Sequence, residues 1–280
     1  MKVFLNGRLV AAAGAALDIA DRGFTLGDGL YETIAVKGGR PARVEAHLAR
    51  LRRGTDVIGL SFVETDAALE AALGDVVTAN AIEEGVLRLP LSRGPAPRGL
   101  LPPDRPAPTL LIVGRAQTLG GRPPAKAVVA RETRRNELSP LSRIKTTNCL
   151  DAILALKEAA AKGADEALLL NTKGKLAEAA AANLFLVIGG RAVTPPVADG
   201  ALPGVMRADV LKALGGGERT LEPRDIGEAS EAFLTSSLGV RPLVAVDGAP
   251  VGTGAGSGKP GPVCRESQAV AWKDQAAALP

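Results

Sequence analysis

An α+β fold in two halves is predicted by three features of the sequence. Short strand-like segments are broken by Asn-Gly and Gly-Gly turns, four stretches read as helices, and Gly/Pro clusters interrupt the chain near its middle. With 280 residues and 46% apolar content, the chain can bury one large core or two modest ones without disulfide staples.

The elements follow in order. KVFLNGRLV (residues 2–10) carries Asn6-Gly7, a strong hairpin signal, and YETIAVKGGRPAR (31–43) joins a strand to a Gly38-Gly39 turn. Over residues 44–60 the apolar residues Val44, Leu48, Leu51 and Ile58 fall near helical spacing, with Arg50, Arg52 and Arg53 among them. A second helix is expected over 64–80, then a strand in GVLRLPLSRG (85–94). Prolines crowd 93–108, the strand TLLIVGR follows, and a second Gly/Pro group occupies 120–124. These clusters mark a linker at 116–123 between domains at 1–115 and 124–280. The second half opens with AKAVVARE and LSRIKTTN, then a helix over 150–162 that Gly163 ends. EALLLN, NLFLVI, AVTPPV and EAFLTSS read as strands, with one helix near 207–214. The Gly-rich stretch 252–261 reads as a flexible turn segment.

Composition narrows the function classes. Net charge is +4, from 34 basic and 30 acidic residues spread along the chain, and aromatics are 2%, so the stacking platforms of single-stranded nucleic-acid binders are nearly absent. No stretch approaches the ~18 apolar residues of a membrane span, and the N-terminus has no apolar leader core. No nucleic acid and no membrane are expected as partners. Cys149 and Cys264 are too few for a disulfide framework and lack metal-ligand spacing, which points to a reducing, cytoplasmic setting and no metal site.

One histidine, His47, and no G-x-S-x-G leave out a Ser-His-Asp hydrolase; His47 is read as a structural hydrogen-bonding residue. In GTGAGSGKPG, Thr253 stands where a phosphate loop needs glycine and Pro260 follows Lys259. What remains is Lys145, between Ile144 and Thr146 just ahead of a helix. Most lysines are solvated, but one near a core strand can act as nucleophile and proton shuttle, as a Schiff base with an aldehyde cofactor requires.

At these residues a family resemblance begins. LSPLSRIKTTNCL (138–150) resembles the lysine segment of the class IV, fold-type IV, aminotransferases. That family includes branched-chain and D-amino-acid aminotransferases, R-selective amine transaminases and aminodeoxychorismate lyase. DRGFTLGDGLYET (21–33) is similar to its N-terminal signature and HLARL (47–51) to its phosphate-arginine helix. ADEALLLN, EAAAANLF, TPPVADGALPGVMR and FLTSSL follow in the same order, so the resemblance spans nearly the whole chain.

The resemblance implies a two-domain fold-type IV enzyme, with a smaller N-terminal α/β domain and a larger C-terminal β-rich domain, and with pyridoxal 5'-phosphate bound to Lys145, acting as a homodimer. Glu178 would meet the pyridine nitrogen and Arg50 would hold the phosphate with a planar fork. The backbone amides of Gly204, Val205 and Met206, at a helix start, and Ser236 or Ser237 with Thr235 would complete the phosphate cup. Ala179 and Ala180 depart from the Gly and Ser or Thr of many relatives, so no hydroxyl contact is expected there. Tyr31 and Thr33 would face the substrate, and Arg98 resembles a carboxylate-binding loop arginine, although Leu100 stands where that loop has histidine.

The activity so implied is amino transfer between an amino acid, a D-amino acid or R-amine in first place, and a 2-oxo acid. Aminodeoxychorismate lyase is the alternative, toward which Thr33 and the alanine pair lean. A branched-chain L-amino-acid aminotransferase and an inactive cofactor-binding homologue rank below both.

Overall fold

The computed structural model describes residues 1–252 and 256–272, so part of the Gly-rich segment, 253–255, lies outside the described residues. The chain folds as α+β in two compact units. Among the described residues, the first comprises 1–119 together with Ile144–Asn148, and the second comprises Gly120–Arg143, 149–252 and 256–272.

In the first unit the elements are β1 (Lys2–Leu5), β2 (Arg8–Ala11), α1 (Arg22–Leu26), β3 (Gly29–Lys37), β4 (Arg40–Pro41), α2 (Val44–Val57), α3 (Asp66–Ala79), β5 (Glu84–Ser92) and β6 (Thr109–Ala116). The strands form one antiparallel sheet in the order β2-β1-β6-β5-β3-β4. Asn6 and Gly7 both take positive φ, 46° and 84°, as the two-residue hairpin turn between β1 and β2 requires. Leu30 and Ile34 of β3 and Leu87, Leu89 and Leu91 of β5 are buried in one core with Leu48, Leu51 and Leu73 of the helices. Strand alternation turns Tyr31 and Thr33 of β3 away from that core face, and both are half-buried.

In the second unit the elements are β7 (Ala125–Arg135), α4 (Leu150–Ala161), β8 (Glu166–Asn171), β9 (Leu176–Ala179), β10 (Asn183–Ile188), β11 (Arg191–Thr194), α5 (Val205–Leu214), β12 (Gly217–Glu218), α6 (Asp225–Glu228), β13 (Glu231–Ser236), β14 (Gly239–Val246), β15 (Ala249–Pro250) and α7 (Pro262–Val270). The sheet runs β12-β11-β10-β13-β14-β7-β8-β9, with β15 paired to β14. β7 lies parallel to both its neighbours, β14 and β8. Every residue of β8 and β9 is buried, which explains the unbroken apolar run of EALLLN: both faces of these strands are covered. α4 packs on β7 and β8, α5 packs on β13, and α7 packs on β13 and β14. Gly163, at φ 71°, follows the last turn of α4.

Some elements depart from the expectations. Strand β9, which carries Glu178, had no counterpart in the sequence reading, nor had α1, β12, α6, β14, β15 and α7. The lysine segment was expected with the C-terminal domain, yet residues 144–148 cluster with the first unit. The cause is backbone pairing: Leu30 and Thr146 form an antiparallel bridge, Tyr31 N–H donates to the Lys145 carbonyl (2.9 Å), and Thr147 N–H donates to the Gly29 carbonyl (3.0 Å). Among the described residues no helix is long and apolar enough to cross a membrane.

Candidate active site

The first unit gathers its polar groups around β3. On the core-facing side, Glu32 is fully buried and meets two residues one turn apart on α2. Arg50 donates from Nε to Oε1 (2.8 Å) and from Nη2 to Oε2 (2.7 Å), and His47 lies with Nδ1 2.7 Å from Oε2. An ionised carboxylate only accepts, so His47 Nδ1 carries the proton. Burial opposes the Glu32 charge, but the hydrogen bonds and charge of Arg50, then those of His47, outweigh it and hold the carboxyl at about 2. Of the three arginines on α2, Arg52 instead donates to Asp66 and to the Phe62 and Glu64 carbonyls, and Arg53 is exposed.

On the opposite face of β3, Tyr31 collects two cations. Lys145 is half-buried, and its Nζ stands 4.3 Å from the centre of the Tyr31 ring. The Arg88 guanidinium carbon lies 3.3 Å from the same centre, and Arg88 Nη1 donates to the Thr33 hydroxyl (3.2 Å). Both distances are within the ~6 Å reach of cation–π attraction. Lys145, Tyr31 and Thr33 thus form one cluster with Arg88. Arg98 does not join it: it sits exposed in the proline-rich loop and makes no hydrogen bond or ion pair with a described residue.

The second unit has its own convergence, centred on Asn183. Its Nδ2 donates to Glu178 Oε2 (3.2 Å) and to the Leu202 carbonyl (2.9 Å). Glu178 also accepts from Leu202 N–H (2.9 Å) and pairs with Arg135 Nε at 3.1 Å. Asn183 is the cross-strand partner of Thr235, and its side chain lies against Gly204, where an added Cβ would collide with Oδ1. The start of α5, the end of β13 and Glu178 therefore meet around one amide. Val205 and Met206 are buried in the first turn of α5, which no side chain caps. Thr235 Oγ1 is buried without a hydrogen-bond partner among the described residues. Ser236 and Ser237 stand at the β13–β14 hairpin, where Ser236 Oγ accepts from Leu238 N–H (3.3 Å).

Sequence reasoning missed Glu32, Arg88, Arg135 and Asn183 as members of these clusters. For Glu32 a signal existed, because His47 and Arg50 at i and i+3 share one helix face and call for a buried acceptor. For Arg88 the signal was a single cation within the apolar strand GVLRLPL.

Comparison with known proteins agrees with this architecture. The profile of the family described as amino-transferase class IV matches residues 29–246. The chain is 30% identical over 280 residues to a D-alanine aminotransferase of Bacillus licheniformis, covering 96% of this chain and 95% of that one. It resembles the structure of 4-amino-4-deoxychorismate lyase from Pseudomonas aeruginosa, with TM-score 0.82, 30% identity and coverage of 97% and 98%. It likewise resembles the branched-chain amino acid aminotransferase from Escherichia coli, with TM-score 0.87, 25% identity and coverage of 96% and 92%. The chain belongs to the class IV aminotransferase family, and it is a pyridoxal-phosphate-dependent enzyme with the fold-type IV architecture.

Proposed function

We propose that this enzyme exchanges an amino group between an amino acid, as the D form or an R-amine, and a 2-oxo acid, with Lys145 as the residue that bonds the cofactor aldehyde. The observation that carries the reading is the lysine's setting: its backbone is hydrogen-bonded to β3 and its amine stands over Tyr31. A surface lysine has neither restraint.

The residues present fit a phosphate-bearing cofactor. The uncapped first turn of α5 offers the backbone N–H groups of Val205 and Met206 to an anion, and the orphan Thr235 hydroxyl lies on the strand paired with Asn183, against which α5 begins. Ser236, Ser237 and Arg50, whose guanidinium plane Glu32 fixes, are assigned to the same phosphate. Glu178 is assigned to the ring nitrogen, its carboxylate held in position by Arg135, Asn183 and the Leu202 N–H. Pyridoxal phosphate, when bound, supplies an electron sink for charge at the substrate α-carbon. Lys145 takes the α-proton and returns it, which requires the amine to be mobile about a restrained backbone. Tyr31, Thr33 and Arg98 are assigned to the substrate.

We further assign a homodimer and a reducing, cytoplasmic setting. Ile19, Phe24, Leu100 and Leu101 are exposed by 81–88%, and the Arg22 guanidinium, donating to the carbonyls of Gly99, Leu100 and Leu101, holds that loop against α1, so that both segments present apolar side chains to solvent. Such a surface suits a second copy of the chain. Cys149 and Cys264 are thiols and form no disulfide with one another.

Aminodeoxychorismate lyase is the second reading, favoured by the alanines that follow Glu178 and by the similarity to the Pseudomonas enzyme. The test is the purified protein with its cofactor: near-visible absorbance, borohydride trapping and turnover of D-alanine with 2-oxoglutarate are expected, and Lys145→Ala should lose all three. A Lys145→Ala protein with full turnover would end the assignment. Pyruvate release from aminodeoxychorismate, with no amino transfer across a panel of pure amines and D- and L-amino acids, would put the lyase first.

A further inference from the structure

We propose that Arg88, on β5, recognises the α-carboxylate of the amino-acid and 2-oxo-acid substrates. The inference deepens the reading above and rests on Lys145 acting at the substrate's α-carbon.

Arg88 is the cross-strand partner of Thr33, and its strand neighbours Leu87 and Leu89 point into the core. Alternation therefore presents Arg88 on the face that carries Tyr31 and Thr33. It is oriented there by two restraints, the Tyr31 ring at 3.3 Å and the Thr33 hydroxyl at 3.2 Å. Its charge has no acidic counterpart among the described residues, and its Nε and Nη2 make no hydrogen bond among them. One edge of the guanidinium, the Nε–Nη2 pair, is thus available for a bidentate carboxylate.

Distance selects the α-carboxylate. The Lys145 amine and the Arg88 guanidinium both lie over one ring, at 4.3 and 3.3 Å from its centre, so they are no farther apart than those two lengths together. An amine moving an α-proton stands roughly 3–3.5 Å from the reacting carbon. The carboxyl carbon is about 1.5 Å beyond that carbon, its oxygens are about 1.2 Å further, and a charge-assisted N···O contact adds about 2.8 Å. Bent at its carbon centres, this chain of lengths bridges two cations that close together, and each carbon placed between the reacting carbon and a carboxylate lengthens the bridge by about 1.5 Å more. Two cations beside one ring also create a local positive potential that suits an anion. Arg98, by contrast, has no restraint that directs it toward Tyr31 or Lys145.

The experiment uses the holoenzyme and its Arg88→Gln and Arg88→Lys variants. Propionate binding is measured by calorimetry, and kcat/KM is compared for D-alanine and isopropylamine, which carries a methyl group in place of the carboxylate. Arg88→Gln is expected to weaken propionate and to lower the alanine-to-isopropylamine ratio by about 10- to 100-fold, the range for a hydrogen-bonded charge pair. Arg88→Lys, a point charge without the fork, should recover only part of either. The proposal is overturned if the parent does not bind propionate, or if both measures in Arg88→Gln stay within about twofold of the parent. Propionate binding is independent of turnover, so a parent enzyme without amino transfer would refute the proposed function while still deciding for or against Arg88.

Discussion

The Glu32 carboxylate is fully buried and receives three hydrogen bonds, two from Arg50 and one from His47. Its folded-state pKa, about 2, lies below the ordinary 4.5, so the charged form is favoured in the folded protein. The sign follows: this stabilisation is fully present above pH 4.5 and is lost as pH falls through about 2. Removing one member of a buried, hydrogen-bonded ion set leaves the other uncompensated and costs about 3–5 kcal/mol. Glu32→Gln is therefore expected to lower unfolding stability by that amount near pH 7, measured with urea, and to flatten the stability profile between pH 4.5 and 2. A variant whose profile runs parallel to the parent would show that Glu32 is not the group that titrates there. The sequence reading singled out Tyr31 and Thr33 but passed over the residue between them, since an acid in a strand is ordinarily exposed.

The pairing of α2 with β3 brings that triad together, and Gly54 permits it. A Cβ at Gly54 would stand 2.8 Å from a Leu30 methyl carbon, itself in the core. Gly54→Ala gains about 1 kcal/mol of helix propensity, whereas overpacking costs roughly 1–3 kcal/mol. The second effect should win. The expected result is net destabilisation in a denaturant titration, with weaker cofactor retention if Arg50 shifts along with α2; a more stable Gly54→Ala protein would show that the helix rides further from β3 than described. The helices over 44–60 and 150–162 were legible because their apolar spacing and flanking glycine are local properties. β9 was not legible: a four-residue strand in an alanine-rich stretch has no periodicity, and it exists because it pairs with β8.

At the level of the complete chain, the residues proposed for the cofactor and substrate belong to different compact units, Lys145, Tyr31 and Arg50 to the first and Glu178, Val205, Met206 and Ser236 to the second. The exposed Phe24 and Leu101 provide the means to test the proposed dimer. Phe24→Asp with Leu101→Asp is expected to raise the dimer dissociation constant by two orders of magnitude or more, because each buried apolar side chain contributes roughly 1.5–3 kcal/mol. Sedimentation velocity reads the result; an unchanged dimer would exclude this surface as the contact.

Turn residues, apolar spacing and the order of the motifs were enough to reach the α+β class, the family and the cofactor, because each is written in neighbouring residues. The partners of Glu32, the docking of residues 144–148 on β3 and the arrival of Arg88 over Tyr31 came from the fold alone. They depend on strand register and on which helix covers which strand, and those are settled by the packing of distant segments, which no local window of the chain contains.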